Sequence, residues 1–390
     1  MSELRWVVVD DNDPSITYHG PWVENAGFQG NQWGPVYGGS QHDVTGLQSD
    51  PPSLSYNFTG SEFQVLGTYV VQNTSRGRDP DWNCELGGFV FPRQQQNSSA
   101  TGAMPLNNWP LCTGLTDTPG EKILKVSPIF PKDSSAHFYV DQIRYRPLAN
   151  MTSSLSGRVT VLVEETDPAL AYTGNWTRHN MDPGLMTTEQ GNSVTLKFTG
   201  MSFQVPPYRP ACNAHRHPII FAGTKVTWVG LIPAGFSSVA GIGGYRVDEG
   251  LLVNFANVPS LPLEGITIYN QRLFETPELS DGVHTLTVTH NGPSDAAPLT
   301  LDYLLIANGD IDPHSNLEVA AGKAKSLSVG QIVGASVGSF AAVFFFGLGV
   351  FYFLRWKRRQ ARGGTRPAYE MKSAKDSRWK RGWITSRSGA

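Results

Sequence analysis

The chain has 390 residues, 39% hydrophobic and only 16% charged, with 41 Gly, 27 Pro and 10 Trp. Such a composition excludes an intrinsically disordered chain and a helical bundle, and its length corresponds to two or three domains. The net charge of -2 combines an acidic body with a basic tail, since residues 355–390 hold 12 Lys or Arg against 2 Asp or Glu. We therefore expect a turn-rich β protein that ends in a basic segment.

One sequence pattern occurs twice. Residues 7–22 read VVVDDNDPSITYHGPW and residues 161–176 read VLVEETDPALAYTGNW, so that Asp-Pro, Tyr, Gly and Trp coincide at an offset of 154. Later matches keep the same order: 56–60 with 196–200, 119–126 with 281–288, and 138–145 with 299–306. This repeat predicts two related domains, at 1–150 and 151–310.

Each copy consists of short runs of alternating β-branched and aromatic residues, separated by Gly, Pro, Asn and Asp. No long amphipathic helix is evident in either copy. Short strands with turns of this kind predict an all-β fold of two tandem antiparallel β-sandwiches.

The D-P-x-I-x-Y-x-G-x-W pattern, the F-T-G that follows it and the closing strand with a central Asp resemble tandem galactose-binding-like jelly rolls. The chain is similar in this to a family of fungal single-pass membrane proteins with such ectodomains. The resemblance covers roughly residues 5–355. It implies a jelly-roll fold of a carbohydrate-binding type.

The acidic run Asp10–Asp13 is a candidate calcium-binding site, because hard cations need several oxygen ligands. Only the last Asp of the run is repeated strictly, as Asp167, and the spacing of an EF-hand is absent. An Asp before Pro after a strand is typical of a turn, which we favour. Asp141 and Asp302 lie within the closing strands, and we interpret them as hydrogen-bonded positions of the sandwiches.

Aromatic residues of the first copy supply the candidate ligand-binding site. Trp22 and Trp176 recur in both copies and are expected in the core. Other residues lie in segments rich in Gly, Pro and Asn and lack a clear counterpart, and sugar-binding sites combine aromatic faces with amides. The candidates are Trp33, Tyr37, Trp82, Asn83, Asn108 and Trp109, with covering of the sandwich ends as the alternative for each.

Cys84 and Cys112 lie 28 residues apart in the first copy, and we predict a disulfide between them, worth roughly 3 kcal/mol in the chain-entropy model. Cys212 stands near His215 and His217, which are zinc-ligand types. Three ligands without a second cluster do not make a zinc site, so we predict no metal and no cofactor.

Residues 201–223 interrupt the alignment of the copies. Their removal joins Gly200 to Thr224 and aligns the second copy with residues 58–67 without a gap. Two interpretations stay open: a retained in-frame intron, whose ends are compatible with splice-site codons, and a genuine surface loop, which sandwiches tolerate.

Residues 326–354 carry no charge, and 329–354 would form a helix of about 39 Å, long enough to cross a membrane. The basic cluster that follows at Arg355 places the 355–390 tail in the cytoplasm and the domains outside, with 311–328 as a linker. Small residues recur on one face of this helix and would permit a homodimer; they are Gly330, Gly334 and Gly338. We expect a plasma-membrane location and a disordered tail.

The start of the chain, Met1–Trp6, contains no apolar signal-peptide core. We favour a truncated start over an unusual translocation of the N-terminal domains. Acceptor sequons for N-glycosylation occur only in the predicted outer part, at Asn57, Asn73, Asn97, Asn150 and Asn175.

No nucleophile elbow, catalytic triad or phosphate loop is recognisable, and we do not expect an enzyme or a nucleic-acid-binding protein. The sequence favours a surface protein that binds an extracellular or cell-wall glycan, as an adhesion or wall-sensing receptor. Two alternatives remain: an adhesion protein that binds protein partners and a carbohydrate-active ectoenzyme.

Overall fold

The structure is a computed structural model. It describes residues 4–28, 33–46, 50–70, 72–74, 77–94, 105–116, 120–151, 155, 159–179, 183–200, 203–204, 221–222, 224–237, 239–257 and 265–313. These residues form 26 strands and two short 3₁₀ turns, Tyr37–Gly39 and Ala149–Met151. The all-β class predicted from the sequence is confirmed for this part of the chain.

The first copy contributes thirteen strands: β1 Trp6–Asp10, β2 Thr17–His19, β3 Val23–Asn25, β4 Gln41–Thr45, β5 Ser53–Tyr69, β6 Gln72–Thr74, β7 Gly77–Asp79, β8 Asp81–Leu86, β9 Phe89–Phe91, β10 Leu106–Leu115, β11 Glu121–Ile129, β12 His137–Val140 and β13 Gln142–Pro147. The second copy also contributes thirteen: β14 Thr160–Glu164, β15 Leu170–Thr173, β16 Leu185–Thr187, β17 Ser193–Gly200, β18 Phe203–Gln204, β19 Phe221–Ala222, β20 Lys225–Ile232, β21 Gly241–Val247, β22 Val253–Asn257, β23 Ile268–Glu275, β24 Gly282–His290, β25 Leu299–Leu301 and β26 Tyr303–Ala307.

Both copies form a two-layered antiparallel sandwich. In the first copy one layer has the order β2-β5-β11-β8-β9, and the other contains β1, β13, β5 and β10. In the second copy the corresponding layers are β15-β17-β24-β21-β22 and β14-β26-β20-β23. Alternate side chains of these strands point inward, as in β17, where Val194, Leu196 and Phe198 are buried. The two sandwiches predicted from the sequence are therefore present.

Strand β5 explains how the insertion in the second copy is accommodated. Its first half pairs with β11 in one layer, and its second half pairs with β13 in the other layer. In the second copy β17 pairs with β24 and β20 pairs with β26, so two strands replace the single β5. The 201–223 segment thus enters at the crossing between layers; of it, only the short β18–β19 pair is described.

A single sheet passes through both copies, because β1 pairs with β14 in the order β10-β5-β13-β1-β14-β26-β20-β23. Val7 lies opposite Val161, its own counterpart at the repeat offset of 154. Since equivalent residues of antiparallel strands face each other, the copies are related by a pseudo-twofold axis that runs between these valines. The two copies therefore share one sheet and are not separate domains joined by a linker.

A buried ion pair reinforces this junction. Nε and Nη2 of Arg5 donate to the two carboxylate oxygens of Asp167, at 2.7 and 3.1 Å. The side chains of Arg5 and Asp167 are 2% and 6% exposed. The remaining guanidinium nitrogen, Nη1, donates to the carbonyl of Asp310. Such a bidentate pair fixes the orientation of the N-terminal strand on the second copy.

The repeated opening motif forms the same turn twice. Asp13 and Asp167 each accept a hydrogen bond from a backbone N–H two residues ahead, which is the turn role expected for these positions. The hydroxyls of Tyr18 and Tyr172 donate to the carbonyls of Asp11 and Glu165. Trp22 and Trp176 pack against these tyrosines, but both are only half-buried, at the margin of the core and not within it as the sequence predicted.

The predicted disulfide joins Cys84 of β8 to Cys112 of β10, both fully buried. Among the sequon asparagines, Asn57, Asn150 and Asn175 are exposed, whereas Asn97 and the side chain of Asn73 lie outside the described part. No helix within the described ranges is long and apolar enough to cross a membrane. The predicted span at 329–354, with Gly330, Gly334 and Gly338, and the 355–390 tail lie outside those ranges.

Candidate binding site at the junction of the two copies

The largest difference between the copies within the described residues is a loop that only the first copy contains. His42 and Leu185 are equivalent, since they pair with Val140 and Leu301 just before the closing strands. His42 lies 20 residues after Trp22, but Leu185 lies only nine residues after Trp176. We call residues 33–40 of the longer connection the crossing loop, because they pass over the shared sheet to the second copy.

Asparagine side chains from both copies hold the crossing loop. Nδ2 of Asn108 and Nδ2 of Asn270 donate to the same carbonyl oxygen, that of Trp33, at 3.0 and 2.9 Å. Nδ2 of Asn107, which is fully buried, donates to the carbonyl of Gly34 at 2.7 Å. These three amides hold the Trp33–Gly34 end of the loop against both copies.

Asn108 and Asn270 occupy equivalent positions in the two copies. Each lies in a bulge of its edge strand, β10 or β23, where the pairing register shifts. Their φ angles are +55° and +53°, in the left-handed region that Asn tolerates better than most residues. The pseudo-twofold symmetry thus places two matching amides on either side of one loop carbonyl.

Trp33 joins the copies through its ring. It stacks on Tyr269 of β23 with 4.9 Å between ring centroids and an angle of 22° between the planes. Trp109 meets it edge-on at 6.1 Å, and Trp109 in turn contacts Tyr69. Stacked and edge-on aromatic pairs are both favourable arrangements, and they leave Trp33 half-buried.

Tyr37 covers the outer face of the shared sheet. Its backbone N–H donates to both carboxylate oxygens of Asp141, at 2.9 and 3.1 Å. Its ring packs on an apolar cluster made by Trp6, Val8 and Leu162, which are at most 5% exposed. Burial raises the pKa of the Tyr37 hydroxyl, as expected for a phenol in contact with this cluster.

A groove of about 480 Å³, which we call the loop groove, lies between the crossing loop and the outer face of the second copy. Tyr37, Tyr303 and Leu305 provide apolar surface, and Lys225, Arg272 and Glu275 provide charge at the edge. Glu275 pairs with both basic side chains, at 3.6 and 3.8 Å. The volume is that of an ordinary small-ligand site.

A second groove, the Trp33 pocket, encloses about 270 Å³ on the other side of the loop. Aromatic side chains, two amides and four charged groups line it: Trp33, Tyr269, Tyr303, Asn108, Asn270, Arg144, Glu164, Glu165 and Asp302. Three of these residues, Asn108, Asn270 and Tyr303, also line the loop groove. The two grooves therefore adjoin each other.

The carboxylates of the Trp33 pocket differ in their partners. Glu164 pairs with Arg146, and Glu165 pairs with Arg178. Asp302 makes no side-chain hydrogen bond or ion pair with any other described residue. Burial, and next the charge of Glu165, raise the pKa of Asp302 to about 7, although Arg144 and Arg178 act in the opposite direction.

Only some of the residues predicted from the sequence lie at the two grooves. Trp33, Tyr37 and Asn108 line the grooves, and Trp109 supports the Trp33 ring. Asn83 is exposed but lines neither groove. The expectation that Trp82 presents an exposed face is wrong, because its ring is 1% exposed and its Nε1 donates to the carbonyl of Leu111.

The second copy supplies groove residues that sequence reasoning missed, namely Tyr269, Asn270 and Tyr303. Asn270 could have been found, because it matches Asn108 at an offset of 162, the offset that relates Val126 to Val288. Trp82 could also have been excluded as a ligand residue, since Trp82, Cys84 and Leu86 alternate as buried positions of one strand.

Carboxyl groups also gather beneath the crossing loop. Burial, together with the neighbouring Asp11, raises the pKa of Asp10 to about 7, and burial raises the pKa of Asp141 strongly. Asp11 receives a 2.6 Å contact from Nδ1 of His42. Within the described part of the chain, no group of three or more His, Cys, Asp or Glu side chains is arranged to hold a metal ion.

No protein-family model and no curated protein matches the chain. Among solved structures, it is similar to the N-terminal tandem of two CBM22 domains from Paenibacillus barcinonensis Xyn10C, with 12% identity and a TM-score of 0.24 over 78% of this chain and 98% of that one. It is also similar to the secreted serine protease VesC from Vibrio cholerae, with 11% identity and a TM-score of 0.17 over 67% of this chain and 48% of that one. At these TM-scores neither similarity carries an argument.

Proposed function

We propose that this protein binds a saccharide at the junction of its two β-sandwiches. The observation that carries the proposal is the pair of adjoining grooves on either side of the crossing loop, which combine aromatic rings with amide and charged side chains. Pyranose rings present apolar C–H faces to aromatic rings and hydroxyls to polar groups, so this combination suits them. Two adjoining grooves suit an oligosaccharide better than a single sugar.

The fixed position of the crossing loop supports binding. Amides from both copies hold the Trp33 carbonyl, so little ordering of the loop is required when a ligand arrives. A preorganised site loses less conformational entropy on association and binds more tightly for the same contacts. The tandem jelly-roll class, and attachment to the plasma membrane through residues 329–354, belong to this proposal as predictions from the sequence.

The test is binding of the full-length protein to immobilised neutral, amino and acidic polysaccharides. We expect saturable binding to at least one class, and we expect Trp33→Ala to weaken it at least tenfold, about 1.4 kcal/mol. Phe89→Ala is the matched control, because Phe89 is 74% exposed at the start of β9 and lines neither groove.

Saccharide binding that is unchanged in Trp33→Ala would place the site elsewhere. A folded wild-type protein that binds no saccharide would contradict the proposal and favour adhesion through protein partners. The assay also records new reducing ends, because their release would favour the alternative of a carbohydrate-active enzyme.

A further inference from the structure

Asp141 and Asp302 are equivalent residues with different surroundings. Asp141 lies between β12 and β13, and Asp302 lies between β25 and β26. The backbone N–H of Asp141 donates to the carbonyl of Leu66, and that of Asp302 donates to the carbonyl of Val229, both at 2.9 Å. Leu66 and Val229 are equivalent in turn, at the offset that relates Gly67 to Gly230. The pseudo-twofold symmetry therefore extends to the backbone around both carboxyl groups.

The crossing loop supplies a hydrogen-bond donor to only one of these two carboxyl groups. Asp141 is fully buried, and both of its oxygens accept the N–H of Tyr37. The second copy has the shorter connection, and no donor among the described residues replaces Tyr37 at Asp302. Asp302 lines the Trp33 pocket instead, together with Trp33 and Tyr269.

We propose that Asp302 is the anchoring carboxylate of the Trp33 pocket and accepts hydrogen bonds from a hydroxyl or amino group of a bound saccharide unit. The ligand donor takes the place that the N–H of Tyr37 occupies at Asp141. This inference rests on the proposed function and specifies the chemistry of the ligand at the same site.

The charges around the pocket define the ligand class further. Glu164, Glu165 and Asp302 line the pocket against a single lining cation, Arg144, and Arg178 and Arg146 are engaged by Glu165 and Glu164. Among the described lining residues, Asp302 is thus the carboxylate without a cation partner, and its ionised form would repel a uronate or sulfate group placed against it. The pocket therefore takes neutral or amino sugars, whose shared feature is a hydrogen-bond donor.

The experiment compares Asp302→Asn with wild-type full-length protein on three probes: xylohexaose, chitosan hexamer and polygalacturonate. We expect wild-type binding to xylohexaose or to chitosan hexamer, and not to polygalacturonate. Asp302→Asn should weaken that binding by about tenfold or more, because a charge-assisted hydrogen bond is lost. Glu278→Gln is the control, since it removes one exposed charge of the second copy outside both grooves.

The pH profile separates an anchoring role from a structural one. Affinity of wild-type protein for xylohexaose should rise from pH 5.5 to 8.5 as the Asp302 carboxyl ionises, and the profile of Asp302→Asn should be flatter. The melting temperature of Asp302→Asn at pH 8 should equal or exceed that of wild type, because a partly buried charge without a partner is removed. A lower melting temperature with unchanged affinity would overturn the inference.

The outcomes also distinguish the two proposals. Wild-type protein that binds none of the three probes and no polysaccharide of the wider set contradicts saccharide binding itself. Wild-type binding that Asp302→Asn leaves unchanged contradicts only the role of Asp302. Preferential binding of polygalacturonate contradicts the ligand class.

Discussion

Gly34 lies directly against the second copy. Its φ is +80°, and a Cβ at this position would lie 2.4 Å from the carbonyl oxygen of Tyr269. Only glycine fits both the backbone conformation and the space. Trp33 can therefore stack on Tyr269 only because the next residue, Gly34, has no side chain.

Gly34→Ala should displace the loop, lower the melting temperature and weaken saccharide binding. Gly39→Ala is a closely matched control, because Gly39 lies in the same loop with a φ of +91° but has no atom within 4 Å of its Cβ position. Each substitution carries a backbone penalty of about 1–3 kcal/mol, so any additional loss in Gly34→Ala reports the lost contact. Thermal melts and binding isotherms measure both effects; equal losses in the two variants would contradict the role of Gly34.

At the scale of elements, β5 and the pair β17–β20 show what the insertion does to the sandwich. A Cβ on Gly200 would lie 3.0 Å from the hydroxyl of Thr224, so the two ends of 201–223 are neighbours in space. Thr116 donates its N–H to Ser61 in the first copy, and Leu279 donates to Thr224 in the second, both at 2.8 Å. The hydrogen bonds that flank the insertion thus match those of the uninterrupted strand.

Deletion of residues 201–223 should leave a folded protein with a melting temperature equal to or above that of wild type, because Gly200 and Thr224 can continue as one strand. Deletion of 201–224 is the control: a one-residue slip turns every side chain of β20 to the opposite face and should abolish folding. Circular dichroism and thermal melts of both variants suffice. Unfolding of the first variant would show that the segment is part of the sandwich.

At the scale of the whole molecule, the shared sheet makes the two copies interdependent. Separation at residue 150 would leave β1 as an edge strand and expose Trp6 and Val8, which are 4% and 5% exposed in the intact chain. Unpaired apolar edge strands are prone to association. The repeat in the sequence therefore marks evolutionary units rather than independent folding units.

A chain of residues 1–150 alone should self-associate, whereas residues 1–322 should be monomeric at the same concentration. Size-exclusion chromatography with light scattering measures this, and coexpression of residues 151–322 with the first copy should restore a one-to-one complex. A stable monomer of residues 1–150 would contradict the interdependence of the copies.

The sequence predicted those features that depend on local pattern. Alternating runs indicate strands, the offset of 154 indicates two copies, and two cysteines in one copy indicate the Cys84–Cys112 bond, which is present. It could not predict the junction, because Trp33 and Asn270 are 237 positions apart and no periodicity encodes which edges pair. Trp82 is the opposite case, since it lies in a turn-rich segment but alternates with Cys84 and Leu86 as a buried strand position.

The most direct test of binding at the junction is hydroxyl-radical footprinting of the full-length protein with and without the polysaccharide that it binds. We predict that bound saccharide protects Trp33, Tyr37 and Tyr269 from oxidation and leaves Phe89 as reactive as before. Protection confined to Phe89, or to other surfaces away from the crossing loop, would contradict it.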